Sequence, residues 1–277
     1  MDEGQVEYTE AVTRRESGQD ETISANRGWW DQEAADYLEE HGTFLGDADL
    51  IWGPEGWSED DLHVLGDPTD LAGRTILEFG GGGAQGARWC ATRGARVIST
   101  DLSAGMLATA RLIEARSSGP PPLLAQADAT RLPFADDSFD IVFSAYGATP
   151  FVADSAALMA ELARVLRPGG LLAFSTSHPI RWAFPDLPGP EGLTANGSYF
   201  DERPYVEATW DIASYVEHHR TMGHRIAEII DAGLVLRAVH EPEWPLDNTE
   251  VWGGWSPLRG QHLPGTAIFV ASRGHTR

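Results

Sequence analysis

The chain has 277 residues, 42% hydrophobic and 22% charged, which is enough for one large α/β domain or two small ones and too apolar for a disordered chain. Its 42 acids against 20 basic residues, all of them arginine, give a net charge of −22, which argues against nucleic acid or an anionic membrane surface as the main partner. The single Cys90 excludes an intramolecular disulfide and a cysteine-cluster metal site, and no apolar run approaches the ~18 residues of a membrane span.

The N-terminal Met1-Asp2-Glu3-Gly4 lacks the basic-then-apolar order of a signal peptide, so the expectation is a cytoplasmic protein. Residues 1–24 read as a flexible acidic tail, with ordering over a ligand as the alternative. Residues 25–70 read as an N-terminal helical and aromatic cap. Trp29, Trp30, Ala34, Tyr37 and Leu38 have helical spacing over 26–41, and a turn-rich aromatic segment follows at 52–57. A core spans 71–178. Its short strand at 75–79 runs into glycines 80–83, then a helix reaches residue 93. A strand at 97–101 leads to a helix at 103–115, capped by Ser103. Strands at 123–128 and 139–144, an amphipathic helix at 154–166 and a strand at 171–176 complete this part. Residues 179–220, rich in Pro, Gly and aromatics, read as a substrate-cap insertion with one hairpin, 198–200 against 214–218. Residues 221–277 return to the core: a helix at 222–232, then strands at 234–240 and 266–272 with no helix between them. The sum is a Rossmann-like, doubly wound α/β fold. Its seven-stranded sheet is mostly parallel with an antiparallel last strand.

The glycine turn has two readings. Gly81-Gly82-Gly83-Ala84-Gln85-Gly86 matches the GxGxxG dinucleotide fingerprint, and Glu78-x-Gly80-x-Gly82 is an acid followed by spaced glycines. Asp101, at the end of the second strand, can accept both hydroxyls of a ribose under either reading. Asp128 beside Leu132-Pro133-Phe134 suits an adenine edge, and the alternative is an ordinary turn cap.

Taken in order, Glu78-x-Gly80-x-Gly82, Asp101-Leu102-Ser103 with Met106, Asp128-Ala129, Leu132-Pro133-Phe134, Ser138-Phe139-Asp140 and Leu166-Arg167-Pro168-Gly169-Gly170 resemble the motifs of class I S-adenosylmethionine-dependent methyltransferases. Within that family the closest resemblance is to the quinone-biosynthesis-like subgroup. The resemblance covers residues 74–176 and extends loosely to the two closing strands. It implies S-adenosyl-L-methionine as cofactor. Gly80 and Gly82 then approach its methionine part, and Glu78 orients that loop or meets the amino group through water. Asp101 holds the ribose, Leu102 and Met106 flank the adenine, and Asp128 and Ala129 read its edge. Ser144 and Tyr146 lie near the sulfonium. The family's frequent third glycine is Ala84 here.

Methyl transfer needs alignment, exclusion of water and, for some acceptors, a base. The candidate catalytic residues are His178, directly after the fifth core strand, His219 or its neighbour His218 from the insertion, and Tyr146, with Tyr199 as a further lesser candidate. Glu241 and Glu243 are candidates for holding a cationic group. Trp30, Tyr37, Trp52, Trp182, Phe184, Trp244, Trp252 and Trp255 are candidates for a closed aromatic pocket. Tyr37 and Trp52 are added as cofactor contacts. The functional expectation is methyl transfer to a small organic acceptor, aromatic or cationic, of specialised metabolism. The partner is a small molecule rather than nucleic acid or membrane, no metal is used, and the chain is a monomer or homodimer. The alternatives are an NAD(P)-dependent oxidoreductase, weakened by the absence of a Tyr-x-x-x-Lys pair, and a non-catalytic S-adenosylmethionine-binding protein.

Overall fold

The computed structural model describes residues 10–274. In chain order it holds β1 (Glu10–Arg14), a long α1 (Gln19–Leu45), a one-turn α2 (Glu59–Leu62), β2 (Thr75–Phe79), α3 (Gln85–Thr92), β3 (Arg96–Asp101), α4 (Ala104–Arg116), β4 (Leu123–Gln126), β5 (Phe139–Ser144), α5 (Ser155–Val165) and β6 (Leu166–Ser177). A hairpin of β7 (Tyr205–Thr209) and β8 (Ile212–Glu217) breaks the alternation. The chain then closes with α6 (Met222–Asp231), β9 (Leu234–His240), a one-turn α7 (Pro257–Gly260) and β10 (Thr266–Arg273).

Seven strands form the main sheet in the order β4-β3-β2-β5-β6-β10-β9, with β10 antiparallel to both of its neighbours. This is the expected doubly wound fold with its antiparallel strand. Strand order reverses between β2 and β5, and a crevice opens there beyond the strand ends. Both faces of the sheet are covered, so its strands carry apolar side chains on both sides. Leu77, Val142, Phe174 and Phe269 pack against α5 and α6 in one core layer. Ile76, Ile141, Phe143 and Ile268 pack with Trp89 and Cys90 of α3 in the other. Successive residues of a strand enter opposite layers, as a two-residue period requires.

A second, three-stranded antiparallel sheet has the order β1-β7-β8. Over residues 10–24 it corrects the flexible tail expected for 1–24. Residues 1–9 lie outside the described part, but β1 pairs with β7 from Glu10 against Thr209 to Arg14 against Tyr205, and Gln19 already starts α1. Backbone pairing to a distant segment orders a stretch whose own composition is polar. The hairpin also differs from the expected 198–200 against 214–218, because its first strand begins at Tyr205. The 25–70 cap is shorter than expected. Leu50, Trp52, Val64 and Leu65 are buried in the core layer beneath α3, so α1 and the 49–53 stretch are what this segment brings to the cavity.

Candidate active site

The site begins where β2 ends. Glu78 is only 3% exposed, and its Oε2 accepts a hydrogen bond from Ser99 Oγ on β3 at 2.6 Å. Burial pushes its pKa up to about 7. The glycines after it make this possible. A Cβ at Gly81 would lie 2.5 Å from Glu78 Oε2, and one at Gly86 would lie 2.7 Å from Oε1. Two of the three glycines that suggest a dinucleotide fingerprint, Gly81 and Gly86, are therefore the space around a buried carboxyl. Gly80 is in the left-handed region at φ +58, and a Cβ there would sit 2.4 Å from Ala148. Arg88, buried on α3, donates to the carbonyls of Gly83 and Asp47 and so ties the glycine turn to the end of α1. The sequence reading missed Arg88. A buried arginine bonded to carbonyls leaves no spacing signature.

At the end of β3, Asp101 accepts the Gly82 N–H on Oδ2 and the Ser103 N–H on Oδ1, both at 2.8 Å. Burial raises its pKa. Two backbone donors orient the carboxylate, and each oxygen retains accepting capacity toward the cavity it lines. Asp128 combines both of its sequence readings. Its Oδ1 accepts the N–H and the Oγ of Thr130 at 2.9 Å, which caps the turn, and the residue also lines the cavity.

Helix α1 forms the opposite wall. Its attachments were also missed, since single polar residues in a helix carry no such signal. Asn26 grips β8 by bonding both backbone groups of Val216 at 2.9 Å. Asp31 accepts from Ser103 Oγ at 2.6 Å and from the Gly105 N–H at 2.9 Å, at the start of α4. Thr22 Oγ1 meets His218 Nε2 at 2.9 Å. Burial lowers the His218 pKa to about 4, so this imidazole is neutral.

Between these walls lies a cavity of about 550 Å³. Glu78, Gly80, Gly82, Asp101, Leu102, Met106, Asp128 and Ala129 line one end. Trp29, Trp30, Tyr37, Phe151, Tyr215 and Trp252 line the other. Tyr146 stands between the two ends at φ +56, a left-handed backbone for a bulky residue. Its N–H donates to Ser175 Oγ at 2.7 Å, and its hydroxyl accepts from Ser177 Oγ at 3.0 Å. Burial raises the pKa of this phenol and keeps it protonated. Arg181 also reaches the cavity from the 3-10 turn Pro179–Ala183. Burial disfavours its charge, but Glu217 and Asp186 outweigh that effect and its pKa rises.

Four expected site residues are not brought to this cavity. Trp52 is fully buried in the core, and its Nε1 donates to Glu59 at 2.8 Å. Ser144 is buried behind the cavity wall. The expected catalytic role of His178 is corrected: Nδ1 accepts the Ile180 N–H and caps the turn that carries Arg181, and Nε2 meets Glu241 at 2.7 Å. The same holds for His219, whose Nε2 bonds the Tyr199 carbonyl at 2.7 Å beside Trp182, away from the cavity. The histidine that does line the cavity is His41, stacked on Trp252 with centroids 3.9 Å apart. Of the eight aromatics expected to form a pocket, Trp30, Tyr37, Trp252 and Trp255 line it. Among the described residues no cluster of His, Cys, Asp or Glu has the arrangement of a metal site.

A methyltransferase-domain family model matches residues 77–174. A demethylmenaquinone methyltransferase of Mycobacterium bovis is 40% identical over 199 residues, covering 72% of this chain and 73% of that protein. The chain belongs to the class I S-adenosylmethionine-dependent methyltransferases. A demethylmenaquinone methyltransferase of Parafrankia is 40% identical over 132 residues, covering 40% of this chain and 52% of the relative. The chain spans about half the length of this and other curated relatives it matches. The crystal structure of an S-adenosylmethionine-dependent methyltransferase from Mesorhizobium loti superposes with a TM-score of 0.56 at 28% identity, covering 73% of this chain and 92% of the other.

The cofactor of this methyltransferase family is S-adenosylmethionine, and the residues present fit it. Gly80, Gly81, Gly82 and Gly83 line the cavity at the end of β2 with backbone alone, which leaves room for a ligand to approach it closely. Asp101 offers an oriented carboxylate of the kind a ribose diol would need as acceptor. Family membership sets the NAD(P) reading aside.

Proposed function

We propose that this protein transfers a methyl group from S-adenosylmethionine to a small organic acceptor bound in the aromatic end of the cavity. The observation that carries the proposal is the continuity of the cavity. The same space is lined by the glycine turn and Asp101 at one end and by a wall of rings at the other. The cofactor, when bound, supplies a methyl group made electrophilic by its sulfonium.

In this reading Asp101 accepts the ribose hydroxyls, Leu102 and Met106 contact the adenine faces, and Asp128 with Ala129 meets its edge. Gly80 and Gly82 admit the methionine portion, and Glu78 acts from behind by holding the turn. Tyr37, packed against Trp30 and Trp252, belongs to the ring wall at the other end rather than to the cofactor contacts. Tyr146, protonated and fixed by Ser175 and Ser177, serves as a hydrogen-bond donor at the boundary with the acceptor, not as a base. Helix α1 excludes water from the space beneath it, which strengthens every polar contact there. The acceptor is a compact molecule with a planar or cationic group, because rings and acids dominate its end of the cavity.

Calorimetric titration with S-adenosylmethionine, S-adenosylhomocysteine and NAD(H) tests the assignment. Micromolar binding of the first two with none of NAD(H) is expected. The reverse pattern would overturn the proposal and leave Glu78 and Asp128 with structural roles alone.

A further inference from the structure

Most of the rings at the acceptor end meet at steep angles, with His41 stacked on Trp252 at 7° as the exception. Trp29 and Trp30 are 4.6 Å apart at 87°, Trp30 and Tyr37 5.5 Å at 82°, and Trp30 and Phe151 5.6 Å at 74°. Phe151 and Tyr215 continue the series at 5.7 Å and 64°, and Tyr37 and Trp252 at 6.0 Å and 68°. Parallel rings would make a slot for a flat molecule. Rings set edge to face make corners, and a corner of ring faces suits a compact, rounded group that touches several of them at once. The negative face of each ring favours a cation there.

The charges around the corner agree. The helix that carries Trp29, Trp30 and Tyr37 also brings Glu33, Asp36 and Glu40 to the cavity. Glu217 stands two residues from Tyr215 with only 16% of its side chain exposed. Arg181, the one arginine among the described lining residues, faces Asp186 at 2.9 Å and Glu217 at 3.8 Å, so its charge is already offset.

We propose that this aromatic corner is a subsite for an ammonium group on the acceptor, so that the substrate class is a small organic cation. The proposal rests on the methyltransferase reading, because that reading assigns the glycine end to the cofactor and leaves the corner to the acceptor. It concerns recognition of the acceptor and leaves open which of its atoms is methylated.

The test titrates choline and its uncharged isostere 3,3-dimethylbutan-1-ol into protein saturated with S-adenosylhomocysteine. Choline is expected to bind about tenfold tighter than the alcohol, the scale of a partly desolvated cation on aromatic faces. Trp30→Leu and Trp252→Leu are each expected to weaken choline severalfold and to leave S-adenosylhomocysteine affinity within twofold. Glu33→Gln removes no ring, so it gives the same test without disturbing packing. It should weaken choline and spare the alcohol. Equal affinity for the two probes overturns the proposal. So does choline binding that occurs only without S-adenosylhomocysteine, since the corner would then belong to the cofactor's own cationic end. Failure of S-adenosylhomocysteine itself to bind is a separate result, and it removes the methyltransferase reading first.

Discussion

Glu59 is a carboxyl group with no exposure, held under Trp52. It accepts from Trp52 Nε1 at 2.8 Å and from the backbone N–H groups of Val64 at 3.0 Å and Leu65 at 2.6 Å. Burial outweighs these donors and pushes its pKa up to about 7. In the unfolded chain the group ionises near its ordinary value of 4.5, so between the two values the folded state binds the extra proton. Its contribution to stability is therefore complete below pH 4.5 and lost as the pH rises through 7. Urea unfolding of wild type and Glu59→Gln across pH 4–8 isolates it. The wild type should lose roughly 3 kcal/mol relative to the variant between pH 4.5 and 7.5. Parallel curves would mean that the three donors keep Glu59 ionised throughout. Asp101 gives a functional counterpart, because its two backbone donors hold it ready for a diol. Asp101→Ala should lose at least ~1.5 kcal/mol of cofactor binding, roughly tenfold, measured calorimetrically with S-adenosylhomocysteine. Unchanged affinity would remove the ribose assignment.

Helix α1 is the element on which the site depends, and it is held by polar contacts more than by an apolar face. Asp31 serves two donors at the start of α4, and Asn26 serves both backbone groups of Val216. Asp31→Ala leaves Ser103 Oγ and the Gly105 N–H without this partner, which should cost about 1–3 kcal/mol of local docking. Hydrogen exchange should then quicken along α1 while β2, β5 and β6 keep their protection. Uniform loss of protection would instead mean that α1 is integral to the core. These contacts explain why the helix was legible only in its middle. The spacing of Trp29, Trp30, Ala34, Tyr37 and Leu38 marks a helix, but the turns from Gln19 lack an apolar stripe and are set by Thr22 and Asn26 reaching distant partners. The β7–β8 hairpin was misplaced for a related reason. Its two turn residues, Trp210 and Asp211, have φ +54 and +63, a conformation in which Asn-Gly is the usual signal. The core strands were legible because each is a short apolar run bounded by Gly, Pro or Asp. His178 and His219 were misread because proximity to a strand end does not give the direction of a side chain.

At the scale of the molecule, the site joins parts of the chain that are far apart in sequence. The glycine turn belongs to the main sheet, α1 precedes that sheet, and Tyr215 and Glu217 come from the small sheet that β1 completes. Motif order pointed to the residues of the proposed cofactor end, because those motifs sit within one continuous alternation of strand and helix. The acceptor end was only partly legible, since Trp29, Phe151, Tyr215 and Arg181 meet through tertiary packing that no local spacing records. A ligand that spans these parts should stabilise them together. S-adenosylhomocysteine at a hundredfold excess over its Kd should add about 2.7 kcal/mol, and for a chain of this size that raises Tm by roughly 5–10 °C. The shift should appear as one transition, because Asn26, Asp31 and Thr22 tie the small sheet and α1 to the core. At the same ligand concentration Asp101→Ala should show about half the shift, since tenfold weaker binding leaves about 1.4 kcal/mol. Differential scanning calorimetry reads both quantities in one experiment. Two transitions, of which only one moves with ligand, would show that α1 and the small sheet melt independently of the cofactor end. The cavity would then be assembled only when both units are folded, and binding would weaken near the lower transition.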